Sequence, residues 1–187
     1  MSATTERQQI GLTWEAFIEL PDEQLRHAEL HDGEVVQMAP AGRPHQLTLT
    51  NLILALGPWV RAHGGELVPD PHVRIALRWG YQPDLAWYSP ERLPASGYYD
   101  QAPDLAVEIL SPSTRRRDLV RKPAHYFSAG VREVWLVDVD ERVVMSLRAD
   151  GGFDEWVDGD ELVSSLLPGF VAPVAEVLAP STIGTNR

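Results

Sequence analysis

The stretch DLAVEIL, residues 104–110, is the one on which the fold turns. Its apolar and β-branched content, with QAP before it and SPST after it, predicts a buried strand. The next strongly apolar run is EVWLVDV, residues 133–139, and a helix is expected within the intervening RDLVRKPAHYFSAG, residues 117–130. Strand, helix and strand in that order form a crossover, which makes the two strands parallel. The same stretch raises a difficulty. Glu108 stands in its middle, and an ionised carboxylate in a dry core is costly unless it is paired or holds a cation.

Outward from this unit the chain reads as mixed α/β. Thr13 is positioned to cap a short helix carrying Trp14, Phe17 and Ile18, which ends before Pro21. Asp32-Gly33 lies between two short alternating runs and predicts a β-hairpin. The segment PHQLTLTNLILALGPWVRAHGG, residues 44–65, predicts a long helix that stops at Gly64-Gly65 and contains Gly57-Pro58. Strands are expected in ELVP, VRIAL and DLAWYS. Beyond EVWLVDV, the runs RVVMSLR and FDEWV form a hairpin across residues 149–152, and the tail ends in a short helix. The expected architecture is one domain over 1–187, a central mixed β-sheet flanked by helices with an N-terminal helix and hairpin. Residues 1–10 and 181–187 are expected to be flexible ends.

Composition narrows the function. The chain has 187 residues, 44% hydrophobic and 23% charged, the balance of a globular domain with a sizeable core. No apolar run approaches the ~20 residues of a membrane helix, and the N-terminus has no secretory pattern. The absence of cysteine excludes disulfides, zinc–thiolate centres and cysteine nucleophiles, and fits a cytoplasmic protein. The net charge of −11 argues against a general nucleic-acid coat. A local exception is RRRDLVRK, Arg115 to Lys122, with five of the 16 basic residues of the chain. If the protein touches phosphates, Arg115, Arg116, Arg117 and Arg121 are the expected contacts. There is no Gly-rich phosphate loop and no serine nucleophile elbow.

Strand alternation sets Asp104, Ala106 and Glu108 on one face, expected to look into a cleft, and Leu105, Val107 and Ile109 on a core face. Asp84 opens the DLAWYS strand. Two carboxylates on neighbouring strands repel, and a divalent cation such as Mg²⁺ removes that penalty. Lys122, at the start of the helix after the Glu108 strand, could swing back over the strand end, with Asp118 as helix cap and Pro123 in the first turn. Structural alternatives stand beside each reading. Glu108 could pair with an arginine, Asp84 could accept a backbone hydrogen bond, and Lys122 could be an exposed helix lysine. The arginine run could be a solvated turn. Asp104 is expected to lie at the edge of the cleft or to bind backbone, Asp138 and Asp140 to lie in a turn, and Trp135 to be core.

The arrangement QPDLAWYS, then APDLAVEILSPSTRRRDLVRKPAHYFSAGVREVWLVD, resembles the PD-(D/E)XK nuclease superfamily. With AELHDGEVVQMAPAGRPHQ and LLPGFVAPV it is more narrowly similar to the Uma family of putative restriction endonucleases, over most of the chain. The resemblance implies a restriction-endonuclease-like sheet, Mg²⁺ or Mn²⁺ held by Asp84 and Glu108, and hydrolysis of DNA phosphodiesters. It also implies that His45 joins the catalytic group and that Glu29 adds a third metal carboxylate. The superfamily lysine stands two residues after the glutamate, where this chain has Leu110, so that role passes to Lys122. Cutting both strands suggests a homodimer. The rival reading is a non-catalytic nucleic-acid-binding or protein-interaction module with a degenerate site, favoured by the acidic charge and by Leu110.

Overall fold

The computed structural model describes residues 11–94, 99, 101–110 and 121–178. The predicted crossover forms. Strand β7 (Leu105–Leu110) leads through helix α4 (Lys122–Ser128) to β8 (Glu133–Asp138), and the strands pair in parallel from Leu105↔Glu133 to Leu110↔Asp138. They lie at the centre of a six-stranded sheet of order β10-β9-β8-β7-β6-β3. Its other members are β3 (Glu66–Pro69), β6 (Leu85–Tyr88), β9 (Val143–Arg148) and β10 (Phe153–Val157), all joined antiparallel. The β9–β10 hairpin turns at Gly151, whose φ of 88° suits a residue without a side chain.

Helix α3 (Arg43–His63) covers one face of this sheet. Leu49, Leu52, Leu56, Trp59 and Val60 recur at helical spacing and pack on Leu105, Val107, Ile109, Trp135 and Val137. Pro58 is accommodated inside the helix, which stops at Gly64 with φ 87°. The C-terminal helix α5 (Val174–Leu178) closes the same core, next to the small pair β11 (Glu161–Val163) and β12 (Val171–Pro173).

The N-terminal part differs from the single expected sheet. The hairpin β1 (Ala28–His31) and β2 (Glu34–Gln37) turns at Asp32 and Gly33, both at positive φ. It is joined by a second hairpin, β4 (Val73–Ala76) and β5 (Trp79–Tyr81), into a separate four-stranded sheet of order β2-β1-β5-β4. The three-residue strand β5 carries too little pattern to be read alone. One face of this sheet meets α1 (Trp14–Ile18), capped by Thr13 as predicted, through Trp14, Phe17, Ala28 and Leu30. A further helical turn, α2 (Asp22–Leu25), follows Pro21 and was not expected.

The β7 face bearing Ala106 and Glu108 is only in part a cleft wall, for Glu108 lines a cleft while the rest of the face is packed. Ala106 and Leu110 share a second core with Val73, Tyr81, Tyr126, Val134 and Leu136. All six residues of β7 are buried, because α3 covers one side and α4 with the small sheet covers the other. Leu110 is one of these packing residues, which gives a physical reason for an apolar side chain there. Asp104 binds backbone as expected, accepting from the Ser89 N–H at 2.9 Å, and pairs with Arg92 and Arg132. Asp138 accepts from the Glu141 N–H in the β8–β9 turn, and Trp135 is fully buried.

Candidate active site

Antiparallel register sets the first pair of side chains. Strand β6 meets β7 with Leu85 opposite Val107, so Asp84, one residue earlier, stands opposite Glu108. Opposite residues of an antiparallel pair project from the same side of the sheet. Asp84 also clasps the neighbouring strand, its Oδ2 accepting from the Ile109 N–H at 2.6 Å. The backbone-bonding alternative for Asp84 is thus realised, and it fixes the carboxylate beside Glu108.

The crossover helix supplies the cation. Lys122 is the first residue of α4 and Pro123 the second, where a missing N–H costs no helical hydrogen bond. The Lys122 side chain turns inward, 2% exposed, and donates from Nζ to Glu108 Oε1 at 2.9 Å and Oε2 at 3.0 Å. The expected migrated lysine does reach the glutamate, and Glu108 is paired with it. Asp118 lies outside the described residues, and Arg121 takes the N-cap position of α4.

Glu29 approaches from β1. Its Oε1 lies 2.8 Å from Lys122 Nζ and its Oε2 2.8 Å from His31 Nε2, while the Gln82 N–H donates to Oε1. Burial pushes the Glu29 carboxyl up, but the His31 hydrogen bond and the Lys122 ammonium outweigh it and hold the group down at about 2. Lys122 therefore bridges two buried carboxylates from two different sheets. From the opposite side His45, in the first turn of α3, places Nε2 3.0 Å from Asp84 Oδ1. Burial lowers the His45 imidazole, and the hydrogen bond and charge of Asp84, with the charge of Asp70, raise it above its ordinary value.

These groups meet at a cleft of about 170 Å³ whose lining includes Glu29, His45, Asp70, Asp84, Glu108 and Lys122. Asp70 was missed in the sequence. It is pushed up by burial and by the negative charge of Asp84, and its only signal was a proline before it, as at Asp84. Tyr126 was missed as well. Four residues after Lys122 on α4, it donates from its hydroxyl to Glu108 Oε1 at 2.6 Å. Arg121 is exposed just before α4, whereas Arg115, Arg116 and Arg117 lie outside the described residues.

The donor set can be tested against a metal. Asp84 and Glu108 offer hard carboxylate oxygens on one side of adjacent strands, which suits Mg²⁺ or Mn²⁺. Among the described residues no three His, Asp or Glu side chains converge as a complete metal cage. That is compatible with an ion that completes its shell with water and substrate phosphate. It does not reproduce the three-carboxylate set expected with Glu29, whose Oε1 is directed at the Lys122 ammonium.

A mixed sheet with a parallel central pair, whose crossover helix returns a lysine to a strand carboxylate, defines a restriction-endonuclease-like α/β protein. The Uma2 family, described as "Putative restriction endonuclease", matches residues 14–175, and the chain belongs to it. Among solved structures, a putative nuclease belonging to DUF820 from Anabaena variabilis is similar, with a TM-score of 0.76. The two are 20% identical, over 89% of this chain and 97% of that one, a likeness of fold. No curated protein matches the chain.

Proposed function

We propose that this protein is a metal-dependent endonuclease that hydrolyses DNA phosphodiester bonds. The observation that carries the reading is the placement of the Lys122 ammonium against both oxygens of Glu108, with Asp84 opposite on the adjacent strand. Membership of a family described as putative restriction endonucleases supports it.

Asp84 and Glu108 would hold Mg²⁺ or Mn²⁺. Bound there, the ion would lower the pKa of a water and offset charge on the scissile phosphate. Lys122 would orient the attacking water and offset negative charge as it develops. Glu29, 2.8 Å from the same ammonium, helps keep it at the site. His45, hydrogen-bonded to Asp84, holds that carboxylate at the cleft. Arg121 and the arginines before it grip flanking phosphates, offsetting the repulsion of a chain with net charge −11. A homodimer would bring two such sites to the two strands, and light scattering with and without DNA checks that assembly.

The test is plasmid nicking in Mg²⁺ or Mn²⁺ by the wild type, Asp84→Ala and Glu108→Ala, beside calorimetric titration with Mn²⁺. Nicking that both substitutions abolish, and Mn²⁺ binding that Glu108→Gln weakens, are expected. A wild type that neither nicks nor binds Mn²⁺ removes the catalytic reading. The Glu29–Lys122–Glu108 triad, in which one ammonium offsets part of the carboxylate charge without a metal, would then fit a non-catalytic binding module.

A further inference from the structure

The site contains one buried polar group to which the proposed chemistry assigns no part. Tyr126 is fully buried, and its hydroxyl donates to Glu108 Oε1 at 2.6 Å. It lies one helical turn beyond Lys122, so the same face of α4 delivers two donors, an ammonium and a phenol, to one carboxylate. The ring is locked by packing. It meets Tyr81 edge-on with centroids 5.6 Å apart and belongs to the core formed with Ala106 and Leu110.

We propose that Tyr126 is a positioning residue for the Glu108 carboxylate, fixing the plane in which that group meets a divalent cation. The inference rests on the endonuclease reading and deepens it. The physical ground is the free rotation of a glutamate side chain about its terminal torsion. The Lys122 ammonium donates to both oxygens at nearly equal distances, so it does not distinguish them and fixes the rotation of the carboxylate only in part. A short hydrogen bond from a rigid phenol to one named oxygen does fix it. Partners that orient metal-binding side chains in this way typically govern metal affinity or activity by about 10–100-fold.

Tyr126→Phe removes the hydroxyl and keeps the ring. The test uses the full chain and Mn²⁺ alone as the probe, followed by single-turnover plasmid nicking. The expected result is Mn²⁺ binding weaker by about tenfold or more, a matching fall in nicking at fixed Mn²⁺ that higher Mn²⁺ partly restores, and unchanged DNA binding. A purely structural tyrosine would shift the thermal midpoint and leave the Mn²⁺ midpoint where it is. Wild-type Mn²⁺ affinity in a folded Tyr126→Phe protein therefore overturns this assignment alone. Absence of Mn²⁺ binding and nicking in the wild type overturns the endonuclease reading itself, and this assignment with it.

Discussion

Replacing Lys122 by methionine removes a buried ammonium while keeping most of the side-chain volume. In the native protein Nζ lies 2.8 Å from Glu29 and 2.9 Å from Glu108, and these carboxylate side chains are 1% and 5% exposed. Removing one member of a buried ion network leaves uncompensated charge and costs about 3–5 kcal/mol. Glu29 gives an independent scale. It is held at about 2 against an ordinary 4.5, which corresponds to roughly 3 kcal/mol at about 1.4 kcal/mol per unit. Lys122 supplies only part of this, since the His31 hydrogen bond ranks ahead of the ammonium among the lowering influences.

The sign follows from the depressed pKa. A carboxylate held below its unfolded value adds stability that is present above about pH 4.5 and lost as the pH falls toward about 2. In Lys122→Met much of that depression disappears. The gap between wild type and variant should be widest near pH 7 and narrow steadily below about pH 4.5. Urea unfolding followed by tryptophan fluorescence at several pH values measures it, with six tryptophans as reporters. A loss of about 1 kcal/mol or less, constant with pH, would mean that the lysine behaves as an exposed surface partner. It would refute the buried triad.

Two further outcomes follow from particular contacts. His45→Ala should cost roughly 1.5–3 kcal/mol, the worth of a hydrogen bond to a charged group. Because the His45 pKa is raised, that contribution is complete below about pH 6.5 and fades as the pH rises through the folded value, so the variant should approach wild-type stability at alkaline pH. Gly65→Ala should destabilise by about 2 kcal/mol or more. Gly65 has φ 84°, and a Cβ there would overlap the Tyr88 carbonyl oxygen and crowd the Trp87 indole N–H. Thermal unfolding measures the loss, and Mn²⁺ affinity should be unchanged in the protein that remains folded.

Local chemistry carried a large share of what the sequence could determine. DLAVEIL and EVWLVDV could be read as parallel strands because each is continuously apolar and a helix-length segment separates them. The Asp32-Gly33 hairpin, the Gly64 helix stop and the Thr13 cap were legible because each depends on one or two residues. Strand alternation placed Glu108 on the side opposite Leu105, Val107 and Ile109, and Glu108 does line a cleft, although Ala106 and Leu110 on that side pack into a second core. What covers a sheet face is a non-local fact: VRIAL was legible as a strand, but its pairing with the three-residue β5 and the packing of that hairpin over β7 were not.

The tertiary structure alone decided the cation question. From sequence, two carboxylates near each other called for a positive charge, and whether Lys122 could supply part of it depended on the angle at which α4 returns over β7. That angle is set by the packing of Tyr126 and Leu110, and it brings Nζ to Glu108. It also brings in Glu29 from the other sheet, and the Tyr126 hydroxyl, neither of which any spacing along the chain joins to Glu108. Sequence separation carries no information about such contacts, because they arise where two sheets and one helix close on the same buried charge.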